Sequence, residues 1–187
     1  VGLGPDGAVG RDEAEAQAVA DRDSGVLLVR DAGSPADTRW IDDRDDLPRL
    51  LRAGHHLARP KRYLRGYGRE LDEVTSLPRA AAQEADRGDG WVKLVADWID
   101  REVGDLTPLW PAELLAEAVS VAHSHGARVT AHTFSTEAVD DLLAAGVDCL
   151  EHGTGLTDDQ VAEVVRRGVA VTPTLLQVAR FEEIAAQ

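Results

Sequence analysis

The sequence predicts an α/β chain in which βα crossover units build a buried parallel sheet. Three observations carry this reading. Short apolar runs, V-L-L-V at 26–29, W-V-K-L-V at 91–95 and V-A-V at 169–171, are bounded by glycine or polar turns, as buried parallel strands are. Ala- and Leu-rich stretches with helical periodicity separate them, A-E-L-L-A-E-A-V-S-V-A-H at 112–123 most clearly. The strand–loop–helix order recurs roughly six times, with short glycine turns entering the strands and longer polar loops leaving them. A closed eight-stranded barrel uses about 250 residues, more than the 187 present.

Residues 1–10 hold four glycines and a proline and read as a loop. A helix is expected over 12–24, where Ala14 and Ala18 lie one turn apart, with Gly25 as its stop. The run 26–29 follows as a buried strand. Arg30 and Asp31 at its end either leave the core through a turn or serve a substrate loop. After a polar, Asp-rich segment, L-P-R-L-L-R-A-G-H-H reads as a short helix, which makes the adjacent His55 and His56 surface residues and a poor ligand pair. R-Y-L-R-G-Y-G at 62–68 is a short strand and glycine loop. Residues 77–88 are helical, 91–95 a strand, 99–111 a polar loop, and 112–125 a helix ended by Gly126, with His123 and His125 in the last turn as cap or surface groups. The strand R-V-T-A-H-T-F, a helix over 136–144, the strand D-C-L-E-H, a helix with Thr157 as N-cap, and the strand V-A-V-T-P-T-L-L complete the order. The final residues read as helical or frayed.

Composition excludes several function classes. Net charge is −14, with 34 acidic against 20 basic residues. Such a surface repels a phosphate backbone, so no nucleic-acid partner is expected; the basic run 58–65 reads as solvated charge, with contact to an anionic substrate or partner as the lesser alternative. No run reaches the roughly 18–20 apolar residues of a membrane span, and no signal-peptide pattern opens the chain, so a cytoplasmic location is expected. The single Cys149 excludes an internal disulfide. G-L-G-P-D-G at 2–7 has dinucleotide-loop spacing, but only Val1 precedes it, so no strand here feeds that turn; no phosphate-binding Gly-x-x-x-x-Gly-Lys motif is present.

The chemistry concentrates between 91 and 152. Lys93, His132 and His152 each lie in or at the end of a predicted strand, and parallel strands bring such residues to one rim. A core lysine and two incidental histidines is the plain alternative. Lys93 stands out because the chain otherwise uses 18 Arg and only one further Lys, Lys61. An ammonium between Val92 and Leu94 is costly unless paired or neutral, so that position calls for an amine. Imidazoles are good ligands for zinc and other late divalent ions. A neutral Lys93 can react with carbon dioxide to form an anionic, bridging carbamate, or with a carbonyl substrate to form a Schiff base. Glu151, preceding His152, is expected to point away on the strand and is assigned no catalytic proton.

The ordered set G-V-L-L-V-R-D-A-G, G-W-V-K-L-V, A-H-S-H-G-A-R-V-T-A-H-T-F, G-V-D-C-L-E-H-G-T-G-L and G-V-A-V-T-P-T-L resembles the metal-dependent amidohydrolase superfamily, in its imidazolonepropionase-like and prolidase-like branch. The resemblance spans nearly the whole chain and implies a TIM-type (β/α)8 barrel. On it, 26–31 resembles the second strand and 169–175 the seventh. Lys93 resembles the carboxylated lysine of the fourth strand, and His132 and His152 the ligands of the fifth and sixth. The family's first-strand His-x-His pair, eighth-strand aspartate and outer β-sandwich have no counterpart among residues 1–187, so an incomplete barrel of about strands two to seven is expected. The implied cofactors are one or two divalent ions, zinc foremost, and the Lys93 carbamate. The implied activity is hydrolysis of an amide, dipeptide or cyclic amide, with Tyr67, Trp98 and Arg101 as candidate pocket walls. Alternatives are a Schiff-base lyase or aldolase using Lys93, or an inactive barrel fragment or interaction module. A homo-oligomer or a complementary segment would cover the open edges.

Overall fold

The computed structural model describes residues 1–180; residues 181–187, read above as helical or frayed, lie outside the described residues. Where a loop was expected, the chain opens with a small hairpin of β1 (Leu3–Gly4) and β2 (Gly7–Ala8). Helix α1 (Arg11–Asp23) buries Ala14 and Ala18, as their spacing predicts. Strand β3 (Leu28–Asp31) starts later than its apolar run, and Leu27 and Leu28 are 78% and 56% exposed. The expectation of a buried strand therefore fails at its start. β3 pairs only with β4 (Arg49–Arg52), so its other flank carries no ladder among the described residues.

The helix expected around 47–56 is instead two strand pieces, β4 and β5 (His56–Ala58). Gly54 separates them at φ +68°, and a Cβ there would stand 2.7 Å from Glu84 Oε2. Only glycine takes this bend without strain. The bend changes partners: β4 pairs with β3, whereas β5 lies between β6 (Gly68–Glu70) and a later strand of the main sheet. It also turns His55 and His56 to opposite sides, because side chains alternate along a strand.

Next come α2 (Leu77–Arg87) and β7 (Trp91–Val95), as predicted. The expected polar loop 99–111 is largely an antiparallel hairpin, β8 (Asp97–Asp100) and β9 (Asp105–Pro108), turning through Gly104 at φ +76°. The remaining elements follow the predicted order: α3 (Ala112–Ser124), β10 (Arg128–Thr133), α4 (Glu137–Ala145), β11 (Cys149–His152), α5 (Asp158–Arg167), β12 (Ala170–Thr172) and α6 (Leu175–Ala179).

Six parallel strands form the main sheet in the order β12-β11-β10-β7-β5-β6, and among the described residues it does not close on itself. Its register places Leu57, Leu94, Ala131 and Leu150 side by side, all buried, in one core with Leu77, Leu115, Val119 and Leu142 of α2, α3 and α4. The alternate positions, His56, Lys93 and Thr130 at one level and Val95, His132 and Glu151 at the next, face the other side. Period-two alternation thus separates the packing face from the face that carries chemistry. No helix among the described residues is long and apolar enough to cross a membrane.

Thr157 caps α5 as expected: its side chain accepts from Gln160 N, and Gln160 Oε1 accepts from Thr157 N at 3.1 Å. Thr157→Ala should therefore cost about 0.5–2 kcal/mol. The readout is a lower urea midpoint at unchanged slope, and an unmoved midpoint would show that the cap contributes nothing.

Candidate metal centre

Lys93 is 1% exposed in the middle of β7, and its Nζ forms an ion pair with Glu151 Oε2. Thr130 Oγ1 donates to Glu151 Oε1 at 2.8 Å, and Arg30 Nη1 lies 3.9 Å from the same oxygen. The expectation that Glu151 points away is therefore corrected. Its register neighbour is His132, and the two face the same side of the sheet. Burial pushes the Lys93 ammonium below its ordinary pKa, and Glu151 opposes that shift without cancelling it. Burial also pushes the Glu151 carboxyl up, but Lys93 outweighs this and holds it low.

His152 follows Glu151 and on a regular strand would face the helices. It instead adopts φ +68°, uncommon for a residue with a Cβ, and its ring comes to 4.8 Å from that of His132. Its Nδ1 lies 2.7 Å from Thr174 Oγ1, at a residue that is itself at φ +45°. The left-handed backbone at His152 places two imidazoles from neighbouring strands together at the C-terminal rim.

His132 is 2% exposed, and neither of its ring nitrogens has a hydrogen-bond partner. A buried imidazole without partners is costly. Burial, reinforced by Lys93, pushes its pKa down to about 2, so the ring is neutral and keeps a lone pair for a ligand. His152 is likewise lowered, chiefly by burial. These two donors fit a late divalent ion. Among the described residues, however, no group of three or more His, Cys, Asp or Glu side chains is arranged to hold one. Asp97 Oδ1 stands 3.9 Å from His132 Nε2, but its carboxylate already accepts from Thr133 Oγ1, Ser135 Oγ and the backbone N–H groups of Phe134 and Ser135. Asp97 thereby fixes the loop that follows β10.

His56 is the residue that sequence reasoning missed. Expected on the surface, it is 5% exposed, in register with Lys93, with its Nδ1 unpartnered. His55 is the outward member of the pair and bonds Glu84 Oε2 through its backbone N and Nδ1. The alternation of L-L-R-A-G-H-H-L-A around a glycine was the available signal. Burial, aided by Lys93, pushes the His56 pKa down to about 3. Below about pH 6.5, its ordinary value, the unfolded chain takes up a proton that the folded chain refuses until about pH 3. Stability of the metal-free chain should therefore fall with pH across that window. Urea midpoints at pH 7 and pH 5 test this, and His56→Gln should reduce the difference, leaving the part that His132 and His152 contribute in the same direction. An unchanged slope in that variant would remove His56 from the account.

The expected pocket residues separate. Trp98 lies 5.2 Å, centroid to centroid, from His132. Tyr67 instead donates its hydroxyl to Gly4 O at 2.7 Å, although its ring stays 6.4 Å from His56. Arg101 lies in the exposed turn between β8 and β9. His123 and His125 bond Asp148 and Asp86 at the surface, as expected of helix-end residues. Recesses of about 400 and 580 Å³ are lined by residues around β3, β4 and the loops beside them and include neither His132 nor His152.

With this geometry in place, likeness to known proteins has a structural reading. No family model matches the sequence. An uncharacterized protein of Mycobacterium tuberculosis (strain ATCC 25618 / H37Rv) is 58% identical over 185 residues, taking in 99% of this chain and 50% of that protein. The chain thus spans about half the length of the curated relatives it matches. A solved Xaa-Pro dipeptidase with methionine bound in its active site superposes at a TM-score of 0.77, with 21% identity, over 93% of this chain and 50% of its own. A solved amidohydrolase does so at 0.71, with 24% identity, over 90% of this chain and 48% of its own. The fold is the one seen in solved structures described as an amidohydrolase and as prolidases. This chain covers about half of each of those structures.

Proposed function

We propose that this chain provides the metal-binding part of a hydrolase that cleaves carbon–nitrogen bonds in amides, dipeptides or cyclic amides. The observation that supports it most is His132, buried with both ring nitrogens unpartnered and packed against the His152 ring. His132 and His152 would hold a divalent ion, which when bound supplies Lewis-acid polarisation of a carbonyl and a water of lowered pKa. Thr174 would set the tautomer and orientation of His152 from the ring nitrogen opposite the ligand, as supporting groups do in metal sites. Lys93 is placed to become an anionic ligand if its amine nitrogen bonds the carbon of carbon dioxide and releases a proton. Glu151, already in contact with Nζ, is the nearest acceptor for that proton.

The test is metal analysis of the purified chain with intact mass in bicarbonate, followed by a screen of amides and dipeptides on the complete protein. Near-stoichiometric divalent metal and metal-dependent hydrolysis support the reading. A folded complete protein that retains no metal and cleaves no amide would end it. Borohydride trapping of a carbonyl compound on Lys93 would favour Schiff-base chemistry instead.

A further inference from the structure

We propose that Tyr63, held in place by Arg62, is the specificity-determining wall of this centre, and that the substrate group packed against it is flat and apolar. The substrate clause rests on the hydrolase reading; the wall itself rests on geometry. The Tyr63 ring lies 5.1 Å from His56, 5.5 Å from His132 and 4.9 Å, edge-on, from Trp98. Phe134 adds a third aromatic side chain, 4.4 Å from His132 and 4.7 Å from His152. Tyr63, Trp98 and Phe134 therefore surround the histidine pair, and the nearby carboxylates are already occupied, Asp97 by its own hydrogen bonds and Glu151 by Lys93 and Thr130. A flat apolar group stacks on such rings, whereas a charged group buried there would lack a partner.

Tyr63 lies in a loop with no regular structure, so something must fix it. Arg62 supplies that restraint. Its Nη1 donates to Asp100 Oδ2 at 2.9 Å, and its Nη2 donates to Trp98 O at 3.1 Å and to Thr107 Oγ1. One guanidinium thus ties the loop before Tyr63 to both strands of the β8–β9 hairpin that carries Trp98. A lysine, with one nitrogen and no fork, cannot reproduce three acceptors on two strands. Arg62 is therefore a positioning residue acting through Tyr63 and Trp98.

The first test needs no activity. Diethyl pyrocarbonate labelling of the metal-free chain, read by peptide mass spectrometry, compares His132 with His123, whose side chain is 43% exposed. His132 should label at least about tenfold more slowly than His123, and Arg62→Ala and Tyr63→Ala should each raise its rate about tenfold while leaving His123 unchanged. Arg62→Lys should fall between wild type and Arg62→Ala. If Arg62→Ala does not fold, Tyr63→Ala, which leaves the Arg62 hydrogen bonds in place, carries the test. An unchanged His132 rate in folded Tyr63→Ala overturns the wall.

The second test uses the complete protein and two amides that differ only in carrying a ring or a charged side chain beside the scissile bond. Tyr63→Ala should raise KM for the ring substrate about tenfold with kcat nearly unchanged and leave the charged one unaffected. Equal changes for both overturn the substrate clause. Absence of any amide hydrolysis by the wild type would defeat the hydrolase reading and that clause with it, while the labelling result still decides the wall.

Discussion

Glu151→Ala destabilises the folded chain by about 3–5 kcal/mol, the usual cost of leaving a buried charge without its partner. Lys93 is 1% exposed, and Glu151 is the acceptor its Nζ contacts. Among the remaining surroundings, Arg30 carries the same charge and works against the protonated amine, and Cys149 offsets it by a smaller amount. Urea unfolding at pH 7 measures the loss. The paired variant Lys93→Met/Glu151→Leu should lose much less, because well-packed apolar groups replace a buried ion pair at little cost. Equal losses in the single and paired variants would show that Glu151 contributes by packing and not by charge. Restoring stability to Glu151→Ala by adding Lys93→Met is the complementary check.

On the proposed metal-binding reading, His132→Ala should lower divalent-metal affinity by more than about 100-fold, beyond the 10–100-fold typical of losing a group that only supports a ligand. His132 has no competing hydrogen bond to give up, so a bound ion meets an imidazole already desolvated and neutral. His152→Ala should behave alike, and Thr174→Val should show the smaller supporting-group loss. His123→Ala is the control, since that side chain bonds Asp148 at the surface. Competition against a chromophoric chelator gives the affinities. Metal binding that survives both His132→Ala and His152→Ala would place the site elsewhere.

The predicted element order holds where periodicity is unambiguous. The stretches 77–87 and 112–124 carry apolar residues at helical spacing, and W-V-K-L-V is an apolar run set off by the glycine turn after the first of them, so local pattern and tertiary packing agree. It fails where a run is short. Residues 49–58 have enough apolar character for either a helix or two strand pieces, and pairing with β3 and β7 decides for strands. The hairpin at 97–108 was similarly hidden among charged residues, its formation depending on a turn at Gly104 and on Arg62 bonding both of its strands. The first strand was read as buried from composition alone, yet Leu27 and Leu28 are exposed because burial depends on what lies across the strand.

By itself the sequence determined that Lys93, His132 and His152 lie in or at the ends of neighbouring parallel strands, because hydrophobic runs and glycine turns mark those strands locally. Only the tertiary structure decided which way each side chain points and what it meets. Glu151 turns inward to Lys93, and the positive φ of His152 brings its ring beside His132 against the alternation of the strand. His56 joins them through a glycine bend, and Tyr63 through an arginine that reaches 45 residues along the chain to Thr107. The physical reason is range. Strand and helix propensity act between near neighbours, whereas charge pairing, aromatic enclosure and backbone strain are fixed by groups that meet only once the sheet has formed.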